Sequence, residues 1–400
     1  MEGHSQFAVE REFLVLYATD TWNSAIHAAA STLSNVRVED AGSARGAVRR
    51  LAARGSWYTH ILVEPSFAGD MLPVLVSLSS GEPGSGTALV VVGDQTGWPM
   101  KSAYPNTRFV VTATANWLSD ALAASDDRNA GTPDADLSVS AMRAAISDQR
   151  ITTRYQPIVR LTDRVPLCLE VLARLDHAER GTLPPDLFVP QMEQAGLAWP
   201  LTQTVIRRAF AEWGDGKLGE IGLSLAVNFP LDVLLVPSAL TWLEAQREVA
   251  GIPASSIVIE LTESQPVTEL AGLAEAAARL RALGYGLAID DVGPHTREYR
   301  ALLDLPFTAL KLDKDLVQEA PMDDAIQHFL LDTLKLARHA GLRIVAEGIR
   351  DAATWHRMAS LGVDQAQGYL VGRPLPAEAV PLWLLDWRER NQVLADQTVR

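Results

Sequence analysis

Residues 256–291 read SIVIELTESQPVTELAGLAEAAARLRALGYGLAIDD, and this stretch decides the fold. An apolar run closes on Glu260, a helical pattern follows from Leu270 to Gly284, and a second apolar run closes on Asp290 and Asp291. Runs of strand length separated by a helix imply a parallel βαβ unit, because parallel neighbours need a crossover long enough to hold one. Working outward, the same alternation marks eight candidate strands: TRYQPIV from Thr153, PLCLEVL from Pro166, LSLAVNF from Leu223, SIVIELTE from Ser256, GLAIDD from Gly286, ALKLD from Ala309, RIVAEG from Arg343 and QAQGYL from Gln365. Eight βα-type units in roughly 260 residues predict a closed (β/α)8, TIM-like barrel.

Upstream, SDDRNAGTPDADL at 125–137 replaces apolar periodicity with Asp, Gly, Pro and Asn, which predicts a linker. Before it, FLVLYA from Phe13, VRVED from Val36, HILVEP from His60, ALVVVGD from Ala88 and RFVVTA from Arg108 alternate with helical patterns. That layout predicts a flavodoxin-like, doubly wound parallel sheet over residues 1–124. The expected chain is therefore α/β throughout, with the small sheet domain, a linker at 125–137 and the barrel at 138–400.

The chain has 400 residues, 48% of them apolar, enough for large cores. Its net charge of −14 excludes a protein held to DNA by overall charge. A single cysteine, Cys168, excludes an internal disulfide framework and a multi-cysteine zinc site. No apolar run reaches the roughly 18 residues of a membrane span, and the first residues carry no basic signal region. These features point to a soluble protein of the reducing cytoplasm, with no membrane partner.

A strand buried on both faces should be uninterruptedly apolar, yet nearly every run here ends in a charged or amide side chain. The terminators are Glu170, Asn228, Glu260, Asp290 with Asp291, Lys311, Glu347 and Gln367. Barrel enzymes place their chemistry at the C-terminal ends of their strands, so these side chains should converge on one mouth. Any one of them alone is ordinarily a solvated loop entry or a surface ion pair. Seven terminators in order overturn that reading. Five carboxylates and an Asn carbonyl in one mouth repel unless cations neutralise them. Oxygen donors without Cys or His select Mg²⁺ or Mn²⁺, and there are enough for two ions with one carboxylate bridging. Such a pair suits displacement at phosphorus, which also reconciles an acidic protein with an anionic substrate.

With these motifs assembled, the barrel half resembles the EAL-domain cyclic-di-GMP phosphodiesterases from about Ala141 to about Trp387. The ordered set is YQPIV at Tyr155, LEVLARL at Leu169, LFVPQMEQAGL at Leu187, AVNF at Ala226, IELTES at Ile259, AIDD at Ala288, LKLD at Leu310, VAEGI at Val345 and QAQGYLVGRPLP at Gln365. The resemblance implies one ion on Glu170, Asn228, Glu260 and Asp290, and a second on Asp290, Asp291 and Glu347. It implies that Lys311 orients the attacking water or stabilises developing charge, that Glu347 accepts a proton, and that Gln367 holds a water or ligand. Arg174 and Gln156 match substrate contacts, and Glu263 matches an anchor for the loop after the fifth strand, with a helix cap as its competitor. The implied reaction opens one phosphodiester of cyclic di-GMP to give linear pGpG, in a homodimer.

Two departures from the family pattern matter. The usual small-residue loop Asp-Asp-Phe-Gly-Thr-Gly-Tyr-Ser-Ser-Leu is here DDVGPHTREYRAL from Asp290, with Pro294, His295, Arg297 and Glu298 among the replacements. Proline fixes φ and a lost glycine forbids φ > 0, so the loop is expected to fold differently and activity to be low or conditional. The alternative expectation is a silent cyclic-di-GMP receptor acting through protein contacts. An unrelated barrel glycosidase would leave Lys311, Asn228 and the ordered motifs unexplained. The N-terminal half resembles a response-regulator receiver in layout only. It offers Asp20 near the first strand, puts Glu64 where the phosphoacceptor belongs, and has no Lys from Thr112 to Ser119. No aspartyl phosphorylation is expected there, and a protein partner or dimer contact is.

Overall fold

The computed structural model describes residues 11–16, 20–31, 36–54, 58–64, 71, 74–75, 78, 88–92, 107–110 and 118, then 137–398 apart from 178–180, 217, 263–269, 295 and 297–298. Glu263, His295, Arg297, Glu298, the linker residues 125–136 and all of Thr112–Ser119 but Leu118 lie outside the described residues. The chain divides into two compact units, Met1–Leu137 with Leu175–Pro184, and Ser138–Arg174 with Pro185–Arg400.

In the first unit, strands β1 (Arg11–Leu16), β2 (Val36–Asp40), β3 (His60–Val63), β4 (Ala88–Val92) and β5 (Thr107–Val110) form one parallel sheet in the order β2-β1-β3-β4-β5. This is the flavodoxin-like order expected from the alternating pattern. Strand β3 is buried along its whole length, as a central parallel strand should be. Ile26 and Ala30 of the helix Asp20–Ser31 pack with Leu62, Val90, Val92 and Leu118.

The barrel is closed by eight strands, β6 (Ile151–Arg160), β7 (Pro166–His177), β9 (Ser224–Asn228), β10 (Ile257–Thr262), β11 (Gly286–Val292), β12 (Ala309–Leu312), β13 (Arg343–Ala346) and β14 (Gln365–Gln367), and the end of β7 pairs with β8 (Gly181–Leu183) as a hairpin. All eight strands read from the sequence are present. The expectation of eight βα units needs one correction, because β6 pairs antiparallel with β14 while β7 and β9–β14 run parallel to one another. Only the turn Leu161–Val165 separates β6 from β7. So short a connection can join antiparallel neighbours but cannot carry a crossover helix.

Local sequence explains the outer layer. The helix Leu270–Leu283 buries Leu273, Ala276, Ala277 and Leu280, the i, i+3, i+4, i+7 stripe of a helix lying on a sheet. Gly284 ends it at φ +100°, where a side chain would be strained. Asp313, Asp323 and Asp351 accept backbone N–H bonds as N-caps of the helices starting at Lys314, Asp324 and Ala352. The last residue of the LKLD motif is thus a helix cap. Inside the barrel, Ile158, Cys168, Ala226 and Val345 form an apolar cluster. Burial, and then the charges of Glu260 and Glu170, push the Cys168 thiol far up, so it stays an inert core group. Trp355, Trp383 and Trp387 are buried helix residues, and the rings of the last two stack at 5.8 Å.

Candidate active site

Each of the seven parallel strands delivers a polar side chain: Glu170 from β7, near the end of the part that pairs with β9, Asn228 from β9, Glu260 from β10, Asp290 from β11, Lys311 from β12, Glu347 just past β13 and Gln367 from β14. Register puts Asn228 directly beside Glu260, while Glu170 pairs with Ala226 and Asp290 with Thr262, each two residues from its site neighbour. Asp290 and Asp291 should point to opposite faces, since side chains alternate along a strand. Instead the β11–β12 register shifts between Ile289 and Val292, and Asp291 sits at φ +54°. Aspartate is one of the few residues that tolerate this left-handed conformation. The bulge brings both carboxylates to the same place. Ligand oxygens of Asp290, Asp291 and Glu347 all lie within 4.8 Å of one another, as do those of Glu170, Glu260 and Asp290.

Lys311 is buried at the centre. Its Nζ is 2.7 Å from Glu347 Oε1, 2.9 Å from Asp290 Oδ1, 3.1 Å from Glu260 Oε2 and 3.5 Å from Glu170 Oε2. Asn228 Nδ2 donates to Glu170 Oε1 at 3.3 Å, and Gln367 Nε2 donates both to Glu170 Oε2 and, at 3.1 Å, to Gln156 Oε1. Two glycines interleave the loops after β13 and β14. A Cβ on Gly348 would meet the Lys314 side chain at 2.6 Å, and one on Gly368 would meet the Ile349 backbone N at 2.3 Å. Ile349 N donates to Gln367 O at 2.9 Å, and Leu370 N returns a bond to Ile349 O at 3.0 Å.

Burial first, and repulsion from neighbouring carboxylates after it, hold Glu260 and Glu347 well above the usual range and raise Asp290. Partial burial of its carboxyl, then the charge of Asp290, push Asp291 up to about 7, although the residue as a whole faces solvent. Burial works against the Lys311 ammonium, yet the carboxylates around it hold it well above its ordinary value. One ammonium against five carboxylates leaves the mouth short of positive charge. The residues fit divalent cations on two grounds. The donors are hard oxygens, and the buried Gln367 Oε1 has no hydrogen-bond partner, an orphan that a cation-bound water would satisfy.

A pH dependence follows. Unfolded Asp291 releases its proton in the ordinary carboxylate range, whereas folded Asp291 keeps it to about 7. The folded state then binds more protons than the unfolded one, so cation-free protein loses stability as pH rises toward 7. Cation affinity should move the opposite way, increasing over the same interval as protons cease to compete. Melting curves in chelator should show the first trend, shallower in Asp291→Asn. Equal slopes for variant and parent would exclude this account.

The EAL domain family profile matches residues 139–374. The chain belongs to the EAL domain family. A cyclic di-GMP phosphodiesterase of Pseudomonas aeruginosa is 32% identical over 230 residues, 58% of this chain and 39% of that protein. The cyclic di-GMP phosphodiesterase RocR of the same organism is 32% identical over 226 residues, 56% of this chain and 57% of that protein. The chain thus spans well under two thirds of these curated relatives. Among solved structures, the PaMucR phosphodiesterase in complex with c-di-GMP is 27% identical with a TM-score of 0.56, covering 60% of this chain and 98% of that one.

This EAL domain brings together Glu170, Asn228, Glu260, Asp290, Asp291, Lys311, Glu347 and Gln367 at one mouth. Gln156 joins them from inside antiparallel β6, with its Nε2 donating to Gly372 O at 3.1 Å. Arg174 is buried four residues along β7 from Glu170. Tyr155, adjacent to Gln156 and so on the opposite face, turns away from the mouth and donates to Glu212 on the helix Ala198–Gly214 at 2.5 Å. Spacing did not single out Gln318, whose Nε2 donates to Gly348 O at 3.0 Å beside Glu347, because it lies on a helix outside every motif.

Proposed function

We propose that the protein is a Mg²⁺- or Mn²⁺-dependent phosphodiesterase that hydrolyses cyclic di-GMP to linear pGpG. The observation that carries this reading is the sharing of Asp290 between two carboxylate triads. Glu170, Asn228, Glu260 and Asp290 hold one cation, and Asp290, Asp291 and Glu347 the other. When bound, the cations supply an activated water and neutralise phosphate oxygens. Lys311 keeps four carboxylates in one arrangement and orients the attacking water or stabilises the charge that develops, and Glu347 accepts the water's proton. Gln367 uses its unpartnered carbonyl oxygen to orient a water. Arg174 and Gln156 contact the substrate, and Glu263 anchors the adjoining loop. Relatives named as cyclic di-GMP phosphodiesterases support the substrate class.

Incubated with cyclic di-GMP and Mn²⁺, the purified protein is expected to form pGpG, followed by chromatography, and Glu170→Ala to form none. Tight binding without product at high enzyme would overturn the enzyme reading and establish the silent receptor instead.

In the same proposal, residues 1–124 are a degenerate receiver-like module joined through 125–137 to the barrel at 138–400. The module serves a protein partner or a homodimer contact in the cytoplasm. Glu64 follows β3 directly, at the place where a working receiver carries its acceptor aspartate. Acetyl phosphate is therefore expected to leave no hydroxylamine-sensitive label, and a label at Asp20 or elsewhere would refute the degeneracy.

A further inference from the structure

We infer that Thr296 is a positioning residue that holds Asp291 in place for the second cation, replacing the glycine-rich support of the family pattern. The inference rests on the two-cation reading proposed above. Asp291 adopts φ +54°, a conformation that a non-glycine residue keeps only when its surroundings impose it. What imposes it is visible on both sides of the residue. On the strand side, Asp313 N donates to Val292 O at 3.0 Å, pinning the end of β11 to β12. On the loop side, Thr296 N donates to Gly293 O at 3.0 Å.

The Thr296 hydroxyl then makes two bonds at once. It accepts from Gly293 N at 3.1 Å and donates to Asp291 O at 3.0 Å. One oxygen thereby fixes the carbonyl of Asp291 and the second amide after it, the two groups whose orientation sets the bulge. Since the bulge is what brings the Asp291 carboxylate to Asp290 and Glu347, the hydroxyl acts on the second triad without touching it. Downstream, Tyr299 is buried and its hydroxyl lies 3.0 Å from Thr333 Oγ1, which anchors the far end of the loop. The Thr296 substitution supplies by hydrogen bonding the order that the sequence pattern alone makes look lost.

The test is Mn²⁺ binding to the full chain by calorimetry, with no nucleotide present, for the parent, Thr296→Val and Thr296→Ser. The parent should take two ions. Thr296→Val should bind the second about tenfold more weakly, the scale of losing two hydrogen bonds, with the first ion unchanged and the chain still folded. Thr296→Ser, which keeps the hydroxyl, should behave as the parent. The inference fails if Thr296→Val binds both ions as the parent does, if the serine variant is as impaired as the valine one, or if the first ion is weakened as much as the second. A parent chain that takes fewer than two ions would overturn this inference and the two-cation reading together.

Discussion

Replacing Asp290 with Asn is expected to lower cyclic di-GMP hydrolysis by about a thousandfold or more, since several kcal/mol of cation stabilisation at the transition state is at stake. No other residue belongs to both carboxylate triads, so the loss cannot be confined to one ion. The side chain keeps its size, and Asn removes one of the repelling charges that raise its neighbours. Folding should therefore survive while catalysis does not. The measurement is single-turnover pGpG formation at saturating Mn²⁺ alongside a melting curve. Full activity in a folded Asp290→Asn protein would refute the shared-ligand assignment.

The second large effect concerns stability. Lys311 lies within 3.5 Å of four carboxylates and is almost wholly buried. Lys311→Met leaves those acids without their ammonium, and breaking a buried ion network from one side costs about 3–5 kcal/mol. In cation-free protein this should lower the melting temperature by roughly 10 °C. Saturating Mn²⁺ should return most of it, because the ions neutralise the same carboxylates. A variant that melts with the parent in chelator would show that the ammonium is not what balances the mouth.

Most of the barrel was legible because its strands are short apolar runs whose last residue changes character. Glu260, Asp290 and Lys311 announce themselves by being charged where burial should forbid it. Three features were not legible. Strand periodicity has no direction, so nothing in TRYQPIV told that β6 runs antiparallel, although the few residues before PLCLEVL carried the hint. The bulge that gathers Asp290 and Asp291 depends on one backbone angle, which an acidic pair does not reveal. The placement of Lys311 among the acids, where it supplies part of the balancing expected of cations, needs three-dimensional neighbours from β7, β10, β11 and the end of β13. The substituted loop was the opposite case, since the sequence exposed the missing glycine but not the hydroxyl that stands in for it.

The interleaved glycines at 348 and 368 have a mechanical meaning. Because the Ile349 backbone is bonded to the segment around Gln367 in both directions and leaves no room for a Cβ between them, Glu347 and Gln367 ride on a single rigid piece. Glu347 and Gln367, delivered by different strands, are therefore tied to each other through the Ile349 backbone. A displacement of the loop after β14 would therefore have to be accommodated at Glu347 as well.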